Sequence, residues 1–221
     1  MKLSFDTASA MKALAFVAAL VPLAVLAAGV TLYPHWLGAN PAEHITRTTG
    51  DWTLRFLLLT LAVTPLRKLT GWHALARFRR MLGLYAFFYG TVHLSSYLAF
   101  DHAFDLLEIG RDILKRPFIT VGVATLILML PLAVTSTNAM VRRLGAKRWL
   151  ALHRLVYLIA PLGVLHFWWM VKKDITEPAI YAAVLAVLLG YRLASKLAQV
   201  YRARRSVAGT VNAPAMGSQA A

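Results

Sequence analysis

The chain has 221 residues, 59% of them hydrophobic, no cysteine, and a formal net charge of +15. Apolar runs near twenty residues long recur along it, which excludes a soluble domain of this size and points to an all-α polytopic membrane protein. The missing cysteine excludes disulfides and thiolate-held iron–sulfur clusters, and the charge is read first for the membrane side it marks, not for nucleic acid.

Residues 1–11 form a short polar start. The first predicted helix covers about 12–32, around the uncharged run Ala13 to Val30. That run exceeds a typical signal-peptide core, and Leu32-Tyr33-Pro34-His35 is a poor cleavage site. Tyr33 to Asp51 reads as a loop broken by Pro34, Gly38, Asn40, Pro41 and Gly50. A short second helix is predicted over about 52–66, with Arg55 in its first turn and Pro65 near its end. The following loop, Arg67 to Arg80, is strongly basic. A third helix, 81–100, has no formal charge and contains His93. Asp101 to Arg116 is an acidic loop. Pro117 starts a fourth helix, 117–137, at a position where its missing N–H costs nothing. The loop 138–148 is basic again. The fifth helix, 149–171, carries His153, Arg154 and His166 inside an otherwise apolar run. A sixth covers about 178–197. Residues 201–221 read as a basic and then small, polar, disordered tail. Residues 12–200 thus form one membrane domain.

Charge sets the topology. With a cytoplasmic N-terminus and six spans, seventeen of the 24 basic residues fall on one side. The other side receives Arg47, Arg55, Arg111, Lys115, Arg116, Lys172 and Lys173, with every acid but Asp6. The positive-inside rule then predicts a six-helix bundle with both termini cytoplasmic. The positive charge also favours contact with anionic membrane lipid, and no nucleic-acid partner is expected.

Ionisable groups inside hydrocarbon are costly and mark function. His35, His44, His73 and His102 fall in predicted loops, whereas His93, His153 and His166 fall in spans. A single histidine in a membrane helix is explained as well by a hydrogen bond to a neighbouring helix. Depth distinguishes the three. Both helices that carry them run outward, and His93 and His166 land in the outer half at similar depth. Two facing neutral imidazoles can fill both axial positions of a haem iron. With no cysteine available, such a haem is held non-covalently. His153 lies near the inner side, thirteen residues or roughly 20 Å before His166. Thirteen residues turn an ideal helix by roughly 220°, so the two rings share a face only if the helix bends. Pro161 and Gly163 are the expected place for that bend.

No second histidine stands at the inner level of the third helix. Arg79 and Arg80 stand there instead. Arg77, Arg79 and Arg80 read either as topology markers or as donors to haem propionates or a flavin phosphate. Aromatic residues including Tyr85, Phe87, Tyr89, Tyr97, Tyr157 and Phe167 are dense near the histidines and could wall a flat macrocycle. Gly83 and Gly90 would permit close approach.

The segments TGDWTLRFLLLTLAVTPLRKLTG, ARFRRMLGLYAFFYGTVHLSSYLAFD and LAVTSTNAMVRRLGAKRWLALHRLVYLIAPLGVLHFWW, taken together, resemble the MsrQ (YedZ) family. Its members are haem-binding membrane subunits of the bacterial periplasmic methionine sulfoxide reductase system. They lie within the wider ferric-reductase-like transmembrane group. The likeness runs from about 45 to 200. It implies haem b, with the family's haem histidines matching His93, His153 and His166. It implies FMN as a further cofactor, although no FMN motif is matched here. The implied partner is a periplasmic molybdopterin-containing methionine sulfoxide reductase. The implied donor is a cytoplasmic flavin reductase, with membrane quinone as the alternative. Arg79 and Arg80 stand where two-haem relatives carry an inner histidine, so one haem is expected and a second is left open.

The expected function is a b-type cytochrome in the bacterial inner membrane, an electron-transfer subunit and not the catalytic one. No GxGxxG follows a strand, so nicotinamide is not expected to bind directly. The acidic outer loop, Asp101, Asp105, Glu108 and Asp112, is a candidate docking surface. Competing readings are a ferric or quinone-linked reductase with another acceptor, and a proton-coupled transporter without haem.

Overall fold

A backbone in hydrocarbon must satisfy its own hydrogen bonds, and every apolar run here does so as helix. The structure is a computed structural model that describes residues 5–211. Among the described residues it contains α1 (Phe5–Thr31), α2 (Pro41–Thr70), α3 (Arg79–Phe100), α4 (Leu106–Lys115), α5 (Pro117–Val134), α6 (Asn138–Leu144), α7 (Ala146–Leu152), α8 (Val156–Met170) and α9 (Thr176–Val211). Short 3-10 turns lie at Pro34–Leu37, His73–Arg77 and His153–Leu155. Four segments are long and apolar enough to cross a membrane: Ser9–Thr31, Pro117–Val134, Ala146–Met170 and Thr176–Ala203. That is the pattern of a multi-pass membrane protein.

α2 is the centre of the bundle and packs against α1, α3, α8 and α9. Its buried side includes Leu54, Leu57, Leu58 and Leu61. The helix is twice the predicted length and starts at Pro41 instead of Trp52. The residues read as loop breakers are its start signal. The Asn40 side chain accepts from the Glu43 N–H at 3.2 Å, and Pro41 occupies the first turn, where a proline is tolerated. Pro65 lies inside the helix, and Gly71 ends it in the left-handed region at φ 69°, as a C-terminal glycine commonly does. α2 and α3 carry charges at their ends, which lowers their average hydropathy. At about 1.5 Å per residue both still exceed the roughly 30 Å of a hydrocarbon core.

Other boundaries also move. The acidic loop contains α4, and the basic loop 138–148 contains α6, capped by the Thr137 hydroxyl on the Met140 N–H at 3.2 Å. The fourth span ends at Val134. The last helix runs on to Val211 without the break expected near 197. Residues 1–4 of the polar start and 212–221 of the expected disordered tail lie outside the described residues.

α1 is held to α3 by two tyrosine hydroxyls. Tyr85 donates to the Phe16 carbonyl and Tyr89 to the Ala19 carbonyl, each at 2.8 Å. The Leu23 N–H in turn donates to the Tyr89 hydroxyl at 3.3 Å. Leu23 follows Pro22, and a proline inside a helix opens the ladder at that point. The buried hydroxyl of Tyr89 fills the opening by bridging Ala19 and Leu23. Phe56 packs on both tyrosine rings, with centroids 5.5 and 5.4 Å away. Tyr89→Phe is expected to lower stability by about 1–3 kcal/mol, the cost of leaving buried polar groups unpaired. Thermal unfolding in detergent, with Tyr97→Phe compared alongside, measures it.

Candidate functional site

His93 on α3 and His166 on α8 face each other with ring centres 6.1 Å apart and planes at 77°. His93 Nδ1 lies 2.8 Å from the Thr46 carbonyl oxygen of α2. His166 Nδ1 lies 2.6 Å from the Phe118 carbonyl oxygen of α5. A carbonyl only accepts, so each Nδ1 carries the hydrogen and each Nε2 keeps its lone pair. This is the tautomer and orientation that a metal-binding imidazole needs.

Two glycines make this possible. A Cβ on Gly50 would stand 3.1 Å from His93 Cε1 and Nδ1. A Cβ on Gly122 would stand 2.7 Å from the same atoms of His166. In each helix the glycine lies four residues after the accepting carbonyl: Thr46 to Gly50, and Phe118 to Gly122. A helical carbonyl points toward the N–H of residue i+4. A side chain at i+4 would cover its second lone pair, and glycine leaves it open to the imidazole. Of these two residues, Gly50 reads in the sequence as a loop breaker and Gly122 as unremarkable helix. The signal was a glycine inside a run long enough to be helical.

The pair lines a cavity of about 800 Å³ between α2, α3, α5 and α8, within the size range of cofactor sites. One end is apolar, with Leu54, Leu57, Leu126 and Met129. The other is charged, with Arg47, Asp51, Arg116, Lys172 and Lys173. Asp174, also in this lining, has its carboxyl held below the usual range by hydrogen bonding from Thr176. Gly90 lies on the cavity wall with little room, since a Cβ there would meet Leu126 Cδ1 at 3.0 Å. Gly83 has ordinary space around it.

A second cavity of about 450 Å³ lies along the bundle toward the α3 N-terminus. Leu57 and Met129 line both cavities and form the partition. His153, Arg79, Arg80 and Arg154 line the second one, and among the described residues no carboxylate does. Arg80 donates to Asn138 Oδ1 at 2.5 Å. Arg77 lies in the turn His73–Arg77, outside both linings. His153 stacks on Trp149 with centroids 3.9 Å apart, and its Nε2 lies 3.2 Å from the Thr135 hydroxyl. That hydroxyl donates to the Pro131 carbonyl at 2.6 Å, so His153 Nε2 is the donor here. Its free lone pair is on Nδ1, the reverse of His93 and His166.

Both rings of the fifth predicted span turn toward α5: His153 to Thr135 just past its end, His166 to Phe118 at its start. The two rings thus face the same neighbouring helix. A 3-10 turn at His153–Leu155 interrupts the span, and Pro161 stands inside α8. Three residues at about 120° instead of 100° add roughly 60° of turn. Of the aromatic residues expected to wall the site, Tyr97 and Phe167 line the first cavity, and Phe87 and Tyr157 the second, which Trp149 also lines. Tyr85 and Tyr89 pack instead against α1 and α2.

Comparison with known proteins adds a family. The ferric reductase like transmembrane component matches residues 49–164. A protein of Herminiimonas arsenicoxydans is 57% identical over 83% of this chain and 84% of its own length. One from Ralstonia nicotianae is 61% identical over 71% of this chain and 73% of its own. One from Xanthomonas oryzae is 54% identical over 88% of this chain and 91% of its own. Each is named the heme-binding subunit MsrQ of protein-methionine-sulfoxide reductase.

Gly122→Ala is expected to push the His166 imidazole off the Phe118 carbonyl, and Gly50→Ala to loosen His93 less, because its contact is longer. Nitrogen NMR of histidine-labelled protein reads the outcome as loss of a single Nδ1–H tautomer.

Proposed function

We propose, for a chain that belongs to the ferric reductase like transmembrane family and to its MsrQ heme-binding subunits, a b-type cytochrome that relays electrons outward across the membrane. The observation that carries this reading is the His93–His166 pair. A metal–imidazole bond is about 2 Å, so two axial imidazoles on one metal have ring centres roughly 6 Å apart. The pair stands at 6.1 Å, with both Nε2 lone pairs available. Among the described residues no group of three His, Cys, Asp or Glu converges on one point. Two facing ligands suit a metal whose other four positions are filled by a macrocycle. The glycine cradles and the 800 Å³ cavity fit such a group.

His93 and His166 would hold haem b in the larger cavity, and the iron would supply a one-electron couple. Thr46 and Phe118 fix the tautomers. Leu54, Leu126 and Met129 keep water from one edge, and the charged end faces the outer side. The smaller cavity takes an anionic group against Arg79, Arg80 and Arg154, either a second haem or the phosphate of FMN. His153 would bind a metal through Nε2 only by giving up Thr135. The partition of Leu57 and Met129 makes the two sites neighbours, so an electron entering on the cytoplasmic side would cross one thin wall.

α2 and α3 complete six spans with both termini cytoplasmic, in the bacterial inner membrane, and the arginine-rich cavity then faces the cytoplasm. The donor would be a cytoplasmic flavin reductase or membrane quinone. The acceptor would be a periplasmic molybdopterin-containing methionine sulfoxide reductase that repairs oxidised proteins. The chain itself is the electron-transfer subunit.

A dithionite-reduced minus oxidised spectrum of the purified protein is expected to show a low-spin b-type signal. His93→Ala and His166→Ala are each expected to abolish the haem of the larger cavity, and His153→Ala to spare it. A His166→Ala protein that kept its full haem content would refute the ligand pair. A colourless wild type expressed with ample haem would refute the cytochrome.

A further inference from the structure

α4 is ten residues long, about 15 Å, half of a hydrocarbon core of roughly 30 Å. It cannot cross a membrane. It joins the end of α3 to the start of α5, the end of the bundle where His166 meets Phe118. Asp105 caps it by accepting from the N–H groups of Leu107 and Glu108 at 2.9 and 3.1 Å.

Its residues sort by helical position into three faces. Ile109 and Asp112 are buried against the bundle. Glu108, Arg111 and Lys115 form a charged face. Leu106, Leu107 and Leu114 lie on the third and are 81, 66 and 85% exposed. Residues spaced by seven and eight share one side of a helix. Phe104, 60% exposed, extends the patch from a loop in which Ala103 and Phe104 both hold positive φ, 44° and 64°. Non-glycine residues rarely hold that conformation, so the loop is fixed by its surroundings.

The Phe104 N–H donates to the Leu98 carbonyl at 2.9 Å, and Asp112 ties the same loop to the bundle through His102. Its carboxylate accepts from Tyr97 at 2.9 Å, lies 3.2 Å from His102 Nε2, and pairs with Arg116 Nε at 2.8 Å. Tyr97 and Arg116 both line the larger cavity. Asp112 is therefore no part of an acidic docking surface, because its charge is spent inside the bundle.

We propose that α4 is a membrane-interface helix: the acyl chains of the outer leaflet cover Phe104, Leu106, Leu107 and Leu114, and Asp112 ties the helix so seated to the cavity rim. Leaving a leucine side chain in water costs about 1.5–3 kcal/mol relative to burial, so a contiguous patch of this kind has a covering. The charge pattern selects lipid over protein. Arg111, Lys115 and Arg116 border the apolar face, where long basic side chains reach headgroup phosphates while their stems stay in apolar surroundings. The inference needs α5 as a span and is independent of the cofactor.

The chain has no cysteine, so single-cysteine labelling is clean. Leu107→Cys, Leu114→Cys and, as control, Glu108→Cys would each carry an environment-sensitive fluorophore. The proteins would be placed in nanodiscs of phosphatidylethanolamine and phosphatidylglycerol with nitroxide-labelled acyl chains. Labels at 107 and 114 are expected to shift to the blue and to be quenched several-fold more than the label at 108. Equal quenching at all three positions would overturn the proposal. So would a label at 107 that leaves water only when a soluble periplasmic reductase is added. Asp112→Asn is expected to raise the mobility of a spin label at 114, with Glu108→Gln leaving it unchanged. Equal mobility in both would remove Asp112 as the tie. A colourless unlabelled protein would count against the cytochrome reading and leave the lipid result standing.

Discussion

An imidazole buried in a bundle has two nitrogens, and one must be satisfied for the other to be available. Everything around His93 and His166 follows from that constraint. Each ring commits Nδ1 to a helix carbonyl on a neighbouring helix. Reaching that carbonyl requires the imidazole to lie flat against the backbone of α2 or α5. That approach requires glycine one turn further on. The spacing of α2 against α3, and of α5 against α8, is thus set by ring thickness as much as by the leucines that fill the core.

The three histidines stood out in the sequence because each interrupts an apolar run, and the facing of His93 and His166 across neighbouring helices is what the structure shows. The supporting residues were not legible. Gly50 belongs to a stretch rich in breakers, and the cap at Asn40 and Pro41 that turns this stretch into helix is equally consistent with a turn. α4 was hidden by its charges, which read as a loop until Ile109 and Asp112 are seen to be buried. The phase of His153 against His166 was posed correctly as a geometric problem. The 3-10 turn at His153–Leu155 supplies part of the missing rotation, and it involves no glycine or proline and left no mark in the sequence.

The two cavities differ in a way that histidine counting does not capture. In the larger, two rings that each commit Nδ1 to a carbonyl stand 6.1 Å apart. In the smaller, His153 donates through Nε2 and is accompanied by three arginines without a carboxylate. The first arrangement leaves two imidazole nitrogens unprotonated, and the second concentrates positive charge. The positive charge of the smaller cavity would also favour the reduced state of a redox group bound there, because an added electron is stabilised beside arginines.

The repeated relation between a carbonyl and a glycine four residues later has a use beyond this bundle. It is a backbone-level instruction with no dependence on the identity of the accepting residue, since threonine serves in α2 and phenylalanine in α5. A designer of helical proteins could therefore install an imidazole of fixed tautomer anywhere two helices pack closely. The recipe is one glycine on the first helix and one histidine on the second, aimed at the carbonyl one turn before the glycine. The accepting position itself stays free for whatever the core demands.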